Sequence, residues 1–238
     1  PLDRASCFRG QQNWLRNAVR GAAGVTYVPP PPEMIHPLMD DFMAFANAAA
    51  TRVDPVVAAA SISFGFVFLH PFMDGNGRLS RFLFHHALCR SGELENGMLL
   101  PVSAAMRRHE DEYLKALQSF SVPARRQWDV QWIDDDNYVF SFKGDDSLYR
   151  YWDATPCAEF GFRMTEQAFE VDLLEEVEFL DRFDRLYKAV DRQFDVRNAD
   201  LVVLVRSCLQ NEGRVSKNRR KQFSSHVQEE VFELLEHE

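Results

Sequence analysis

The chain has 238 residues and a formal net charge of −9, from 36 acidic and 27 basic side chains. Apolar residues make up 46% of it and charged residues 26%, a balance that indicates a folded protein and excludes a disordered tail. The acidic balance disfavours a protein that binds nucleic acid over its whole surface, and the sequence has no apolar run of about 18 residues that would span a membrane. The four cysteines are scattered, without the spacing of zinc ligands, so we predict reduced thiols and a cytoplasmic protein.

The first predicted element is a short extended arm made of good strand formers. Its residues are Val25, Thr26, Tyr27 and Val28. The arm ends at four consecutive prolines, which cannot donate the hydrogen bonds of a β-ladder. A helix is predicted next over residues 33–50. Asp54, a favoured N-cap residue, then precedes a first-turn proline and opens a nearly continuous apolar helix that runs to Leu69.

Further helices are predicted from Leu79 to Arg90 and over residues 104–120. Strand-forming residues over 128–151 surround a turn signal at 143–146, which predicts a β-hairpin or a small meander. Residues 156–194 return to helix, and the segment 151–195 holds 12 acidic against 5 basic side chains, so its outer face is predicted to be solvated. The last segment is compatible with a helix-turn-helix or winged-helix-like module.

A glycine-rich segment joins the two apolar helices that precede and follow it. Gly75 and Gly77 flank Asn76, and glycines let backbone N–H groups approach an anion without a Cβ in the way. N–H groups at the start of a helix also lie at its positive dipole end. The segment therefore favours an anion site, although the same three residues also suit an ordinary turn.

The side chains around these glycines suit the handling of phosphate. Arg78 and Arg81 are three apart on a helix, so they share a face and can bind phosphate oxygens together. Asp74 can hold Mg²⁺ through a carboxylate oxygen while substrate phosphates supply other ligands. His70 is the side chain best suited to accept a proton near neutral pH. The combination indicates a nucleotide-phosphate site, with a solvated arginine pair as the alternative.

Residues 70–81 read HPFMDGNGRLSR and match all eight defined positions of the Fic family signature, H-x-F-x-[D/E]-G-N-G-R-x-x-R. The chain also resembles this family at Phe8-Arg9, at residues 11–14 and at the proline run. The resemblance covers residues 8–122. It implies a mainly α fold: a Fic-type helical core with a β-hairpin flap, a small β-hairpin insertion and a C-terminal helical or winged-helix-like extension.

Three domains are predicted on this basis. They are a Fic catalytic core over 1–126, a β-hairpin with a long acidic helix over 127–195, and a winged-helix-like tail over 196–238. Fic enzymes typically move AMP from ATP to a hydroxyl of a target protein. The resemblance therefore implies ATP as substrate, Mg²⁺ as cofactor and a Ser, Thr or Tyr side chain of a protein partner as acceptor.

The family's site residues carry over to this chain one by one. His70 would be the general base, Phe72 the anchor of the loop in the core, Asp74 the Mg²⁺ ligand, Gly75, Asn76 and Gly77 the anion hole, Arg78 the contact to the β- and γ-phosphates, and Arg81 the contact to the γ-phosphate. The arm at Val25, Thr26, Tyr27 and Val28 resembles the family's flap, which can hold an incoming target segment by strand addition. A hairpin that only covers the core is the alternative.

Many family members carry an inhibitory helix with the motif [S/T]-x-x-x-E-[G/N], whose Glu pairs with the second motif arginine, here Arg81. Residues 91–96 match it literally, but Gly92 and the position directly after a helix indicate a loop, so an inhibitory role for Glu95 is disfavoured. An inhibitory helix preceding Pro1 is the favoured hypothesis.

Alternative functions remain open from the sequence. One is another Fic-type phosphodiester transfer, with UMP or phosphocholine, or the removal of AMP. Another is a nucleotide-binding regulator that acts through a DNA- or partner-binding tail. The tail's basic cluster comprises Arg214, Lys217, Arg219, Arg220 and Lys221. A solvated basic patch is favoured over nucleic-acid binding at these residues, no membrane contact is predicted, and a homo-oligomer is compatible with the resemblance.

Overall fold

The structure is a computed structural model that describes residues 7–49, 52–90, 92, 100–135 and 137–237. It is mostly helical, with 65% helix and two small antiparallel β-hairpins, which confirms the predicted mainly α fold. Contacts divide the chain into two compact units, Pro1–Phe169 and Glu170–Glu238. The three functional domains stay a prediction, because a division by contacts does not test where one function ends and another begins.

The first unit contains both hairpins and the apolar helices around the glycine-rich segment. Its strands are β1 (Leu15–Arg16), β2 (Val25–Tyr27), β3 (Trp128–Trp132) and β4 (Tyr138–Phe142). Its helices are α1 (Ile35–Ala49), α2 (Pro55–Leu69), α3 (Asn76–Arg90), α4 (Val102–Arg108), α5 (Glu110–Arg125), α6 (Ser147–Arg150) and α7 (Thr155–Gln167). The stretch predicted as one helix over 104–120 is two helices, because the backbone at His109 leaves the helical region.

Helix α2 forms the centre of this unit. The Asp54 carboxylate accepts hydrogen bonds from the N–H groups of Val56 and Val57, at 2.9 and 3.2 Å, and so caps the first turn. The helix is apolar on every face and is buried from Ala58 to Leu69, with α1, α3 and α7 packed against it. Because other helices pack around α2, the residue at its C-terminal end is held in a fixed position.

Helix α3 begins at Asn76, three residues before the predicted start at Leu79. The early start has a local cause. The Asn76 carboxamide binds both backbone polar groups of Phe72, and Gly75 adopts a left-handed φ of 83°, which turns the chain directly into the helix. Gly77 therefore lies in the first turn of α3, and Gly75 directly precedes that turn.

The second hairpin differs from its prediction in the position of its turn. Strands β3 and β4 pair from Trp128 with Phe142 to Trp132 with Tyr138, so the chain reverses between Trp132 and Tyr138 and not at residues 143–146. The Asp134 carboxylate accepts a hydrogen bond from the N–H of Asn137 at 3.0 Å, which favours a turn there. Residues 143–146 lead instead into α6.

The second unit is a helical bundle. A π-helical turn (Ala168–Asp172) leads into α8 (Leu173–Asp191), which is followed by α9 (Asn198–Gln210), α10 (Lys217–Phe223) and α11 (Glu229–His237). Its core contains Leu201, Leu204, Val231, Phe232 and Leu235. Residues 170–237 hold helices and no strand, so the helical character of the predicted extension is confirmed.

Two predictions about the whole chain concern its cysteines and membrane spans. Cys7, Cys89, Cys157 and Cys208 are all free thiols, as predicted, and the latter two are buried. Among the described helices, none combines the length and apolar character needed to cross a bilayer. The cytoplasmic location and the homo-oligomer stay predictions.

Candidate functional site

His70 directly follows helix α2 and lies six residues before the start of α3. Its backbone is left-handed, with φ 48° and ψ 54°, and its N–H still donates to the carbonyl of Phe66 at 3.0 Å. Nδ1 lies 3.2 Å from the carbonyl oxygen of Val67. Because a carbonyl only accepts hydrogen bonds, Nδ1 carries the proton in this contact, and Nε2 keeps a lone pair that can accept another.

The surroundings of His70 favour its neutral form. Burial lowers the pKa of the imidazole below its usual 6.5, and the positive charge of Arg9 lowers it further. The hydrogen bond to Val67 opposes this shift in part. A neutral imidazole with a free Nε2 at neutral pH is the form that a general base requires.

Arg9 holds the backbone around His70. Its Nε donates to the carbonyl of His70 at 2.9 Å, and its backbone N–H donates to the carbonyl of Pro71 at 2.8 Å. The other guanidinium nitrogens donate to the carbonyls of Gln11, at 3.1 Å, and Pro30. The residue is only 4% exposed, and burial lowers the pKa of its guanidinium to about 10, so it stays charged at neutral pH.

No function is predicted for Arg9 from the sequence. Its only signal was the resemblance of Phe8-Arg9 to the family's N-terminal segment. In the structure, this cation fastens the N-terminal segment and the proline run to the residue that ends α2. Arg9 is therefore a positioning residue for His70.

Asn76 acts on the loop through its side chain. Oδ1 accepts from the N–H of Phe72 at 3.0 Å, and Nδ2 donates to the Phe72 carbonyl at 2.7 Å. Asn13 donates to the same carbonyl at 3.2 Å, and the Phe72 ring lies between Phe8 and Phe66, with centroids 5.5 and 6.3 Å away. These contacts place Phe72 where an anchor is predicted, and they leave Asn76, 2% exposed, only its backbone for a ligand.

Two amide groups at the start of α3 are available to an anion. The N–H of Gly75 donates to Oδ1 of Asp74 at 2.6 Å, and the carbonyl of Gly75 accepts from the N–H groups of Arg78 and Leu79. Within the described residues, the N–H groups of Asn76 and Gly77 have no acceptor. They lie at the positive end of the 15-residue helix α3, which favours an anion there.

Both motif arginines lie close to these glycines. Nη2 of Arg78 is 3.8 Å from the point where a Cβ on Gly75 would lie, and Nη1 of Arg81 is 3.7 Å from the equivalent point on Gly77. The Arg78 side chain is 78% exposed, and its partner Asp74, whose Oδ2 is 3.7 Å from Nη2, is 92% exposed. The glycines leave room for phosphate oxygens beneath two cations, of which Arg78 is open to solvent and Arg81 is half-buried.

A metal ion at this site would depend on Asp74 and on the substrate. The described part of the chain has no group of three His, Cys, Asp or Glu residues that could enclose a metal. Mg²⁺ keeps several waters and is bound by one or two carboxylates together with substrate phosphates. The exposed Asp74 carboxylate beside the anion site fits a metal held in that way.

The predicted flap is part of a real hairpin, in which β2 pairs with β1. Val25, Tyr27 and Val28 are buried, and Tyr27 Oη donates to the carbonyl of Phe68 near the end of α2. Of the four predicted docking residues, Thr26 alone is exposed. The hairpin therefore covers the core, and docking of a target segment stays a prediction that rests on its backbone.

One member of the tail's basic cluster, Arg220, takes part in the packing of the second unit. Arg220 forms ion pairs with Glu229, at 2.6 Å, and Glu236, at 3.2 Å, and its guanidinium lies 4.9 Å from the ring centroid of Phe232. These contacts join α10 to α11, so Arg220 serves the fold of the second unit. The remaining members of the cluster are Arg214, Lys217, Arg219 and Lys221.

The literal match to the inhibitory motif, residues 91–96, lies outside the described residues except for Gly92. The prediction that Glu95 has no inhibitory role therefore stays a prediction. Its expected partner, Arg81, is half-buried beside Gly77. An inhibitory helix preceding Pro1 likewise stays a prediction.

Part of the chain is similar to known proteins. Residues 4–88 match the model of the Fic/DOC family, so this part of the chain is similar to a Fic/DOC domain. The chain is 36% identical over 93 residues to a protein named protein adenylyltransferase Fic from Aedes aegypti, which covers 39% of this chain and 17% of that protein. A protein of the same name from Drosophila yakuba is 40% identical over 67 residues, 28% of this chain and 14% of the relative. The matches therefore span less than a fifth of these relatives.

Two solved structures are also similar. A Fic domain containing signaling protein from Bacteroides thetaiotaomicron has a TM-score of 0.47 at 20% identity, covering 68% of this chain and 50% of the other. A Fic family protein from Desulfovibrio desulfuricans G20 has a TM-score of 0.47 at 22% identity, covering 95% and 53%.

Proposed function

We propose that this chain is a protein adenylyltransferase, which transfers AMP from ATP to the hydroxyl of a Ser, Thr or Tyr side chain in a target protein. The observation that carries the proposal is the cluster at the start of α3, where two N–H groups lack an acceptor within the described residues and two guanidinium groups lie close to the glycines, six residues after a histidine whose pKa is lowered by burial. The similarity to relatives named protein adenylyltransferase supports the same activity.

The proposed reaction is an in-line displacement at the α-phosphorus. His70 Nε2 takes the proton of the acceptor hydroxyl while the hydroxyl oxygen bonds to the α-phosphorus. The bond from the α-phosphorus to the oxygen that bridges it to the β-phosphorus breaks, and pyrophosphate leaves. The N–H groups of Asn76 and Gly77, with Arg78 and Arg81, stabilise the negative charge on the leaving group.

Such a site has to position the reactants and stabilise negative charge, because phosphoryl transfer needs little else from a protein. Arg9 and Asn76 fix the loop that separates the base from the anion site. Mg²⁺ held by Asp74 would supply further charge neutralisation at the phosphates.

The reaction class is tested by two labels used side by side. The chain is incubated with acceptor proteins and ATP labelled in either the α- or the γ-phosphate. Transfer of the α-label alone into protein is expected, since AMP keeps only that phosphate. Transfer of the γ-label would identify a kinase and overturn the proposal, as would ATP binding without any transfer.

Substitution of Asp74 by Asn is expected to raise the Mg²⁺ concentration needed for half-maximal AMP transfer by about 10- to 100-fold, the range seen when a metal site is disturbed. The amide keeps the size of the side chain but removes the charge that attracts the ion. Asp145→Asn is the matched control, since Asp145 also caps an exposed backbone N–H but lies outside the site. Equal Mg²⁺ dependence in both variants would contradict the assignment of Asp74.

The tail provides a second candidate function, because four basic residues of its cluster are left after Arg220 is used in the fold. Replacement of Arg214, Lys217, Arg219 and Lys221 by Ala is expected to leave the behaviour on a DNA column unchanged at about 0.15 M salt, with neither protein retained. A net charge of −9 disfavours retention. Salt-dependent retention of the wild type that the variant loses would instead support a DNA-binding regulator.

A further inference from the structure

Residues 9–13, which we call the brace, bind the loop that follows α2 at three successive carbonyl groups. Arg9 Nε donates to the carbonyl of His70 at 2.9 Å, and the backbone N–H of Arg9 donates to the next carbonyl at 2.8 Å. Nδ2 of Asn13 donates to the carbonyl of Phe72 at 3.2 Å. The loop that carries the proposed base is therefore held by side chains that lie 61 and 59 positions away in the chain.

The brace also binds the chain that directly follows the arm of residues 25–28. Nε2 of Gln12 donates to the carbonyl of Pro29 at 3.0 Å. Nη2 of Arg9 donates to the carbonyl of Pro30. Because proline fixes its own φ angle, these two bonds act on a stiff piece of backbone. The end of the arm and the loop after α2 are therefore fastened to the same five residues.

Gln12 and Asn13 connect the two ends of the brace directly. Besides its bond to Pro29, Nε2 of Gln12 donates to the carbonyl of Asn13 at 3.0 Å. One amide group thus binds the chain after the arm and the backbone of the residue that binds Phe72. A shift of the arm is therefore passed to the loop through two neighbouring residues.

The Asn13 side chain has a feature that stability alone does not explain. Its Oδ1 is buried and has no hydrogen-bond partner within the described residues, although buried polar atoms are normally bonded. An unpaired buried acceptor costs about as much free energy as one neutral hydrogen bond contributes, or more. The bond from Nδ2 to Phe72 therefore brings little net stability, which favours a role in placing the loop.

We propose that Gln12 and Asn13 are positioning residues, which together set the distance between an acceptor held at the arm and Nε2 of His70. The proposal rests on the proposed function and concerns the acceptor side of that reaction. Gln12 acts on the arm and Asn13 acts on the loop. The reacting atoms have to lie about 3–3.5 Å apart, and a misplacement of about 1 Å can lower a rate about 10²-fold. Two linked contacts that hold the arm and the base together are therefore expected to matter for the rate.

Substitutions by leucine, which remove the hydrogen bonds but keep much of the volume, test the proposal. With an acceptor protein that takes up the α-label, Gln12→Leu is expected to raise the KM for the acceptor at least about fivefold, and Asn13→Leu to lower kcat at least about fivefold. The Kd for ATP should stay within about twofold of the wild type, because the proposed phosphate contacts belong to α3. Gln11→Leu is the matched control, since the Gln11 side chain is exposed and makes no hydrogen bond within the described residues. Kinetics equal to those of the control in either variant, or an equal loss of ATP affinity, would overturn the proposal.

Hydrogen exchange tests the link between arm and loop without any transfer of AMP. In Gln12→Leu, the amides of the arm and those of residues 72–76 are expected to exchange at least about fivefold faster than in Gln11→Leu, as measured by mass spectrometry of short peptides. Melting temperatures show that each variant is folded. Faster exchange confined to the arm, or no change at all, would refute the link. A chain that shows the expected exchange but transfers no AMP would keep the link and refute the proposed function.

Discussion

Replacing His70 with Ala is expected to lower the rate of AMP transfer by about 10²- to 10⁴-fold, the usual contribution of general acid–base catalysis. The affinity for ATP is expected to stay close to that of the wild type, because the N–H groups and arginines proposed to contact the phosphates belong to α3. Single-turnover transfer of the α-label and equilibrium binding of ATP measure the two quantities separately.

His86→Ala is the matched control, since His86 is an exposed histidine of α3 outside the site. The wild-type rate should also fall at acid pH, when the imidazole gains a proton and can no longer accept one. Because burial lowers the pKa of His70, this fall is expected below pH 6.5 and not above it. A His70→Ala variant with the wild-type rate would show that another group takes the proton.

Replacing Arg9 with Met is expected to reduce the free energy of unfolding by about 3 kcal/mol or more. Methionine fills much of the space but donates no hydrogen bond, so the carbonyls of His70, Gln11 and Pro30 lose their partner, at about 1–3 kcal/mol for each buried group left unpaired. Arg52→Met, at an exposed position, should change stability by about 0.5 kcal/mol at most. Denaturant unfolding of the two variants provides the comparison.

The rate of the Arg9→Met protein separates positioning from stability. At temperatures where the variant is folded, AMP transfer should still be reduced, because the carbonyl of His70 is no longer held. Loss of the neighbouring positive charge should also raise the pKa of His70, so the acid limb of the rate profile moves to higher pH. A folded variant with an unchanged rate and pH profile would limit Arg9 to a role in stability.

The parts of the site that could be predicted from the sequence are those with local signals. Asp54-Pro55 and the unbroken apolar run define α2, and the spacing of residues 70–81 places a histidine, two glycines and two arginines at a helix junction. These features depend on neighbours within a few residues. The helical character of the first unit follows from the same short-range patterns.

What could not be predicted depends on side chains that bind distant or unexpected backbone groups. Arg9 reaches the carbonyl of His70 across 61 positions of the chain, which no local pattern encodes. Helix α3 begins at Asn76 and not at the predicted Leu79, because the Asn76 side chain binds the backbone of Phe72. The second hairpin has its turn at Asp134 and Asn137, whose side chains close it by hydrogen bonds. The prediction had placed this turn at the glycine of residues 143–146.

The central claim is that the site at the start of α3 transfers AMP to a protein hydroxyl, and mass spectrometry of the acceptor tests it most directly. Acceptor proteins are incubated with the chain, Mg²⁺ and equal concentrations of the four common nucleoside triphosphates, and modified peptides are then sequenced. We predict AMP esterified to a Ser, Thr or Tyr side chain, and no such peptide with His70→Ala. UMP or phosphate alone on the acceptor, or AMP transfer that persists in the His70 variant, would contradict the claim.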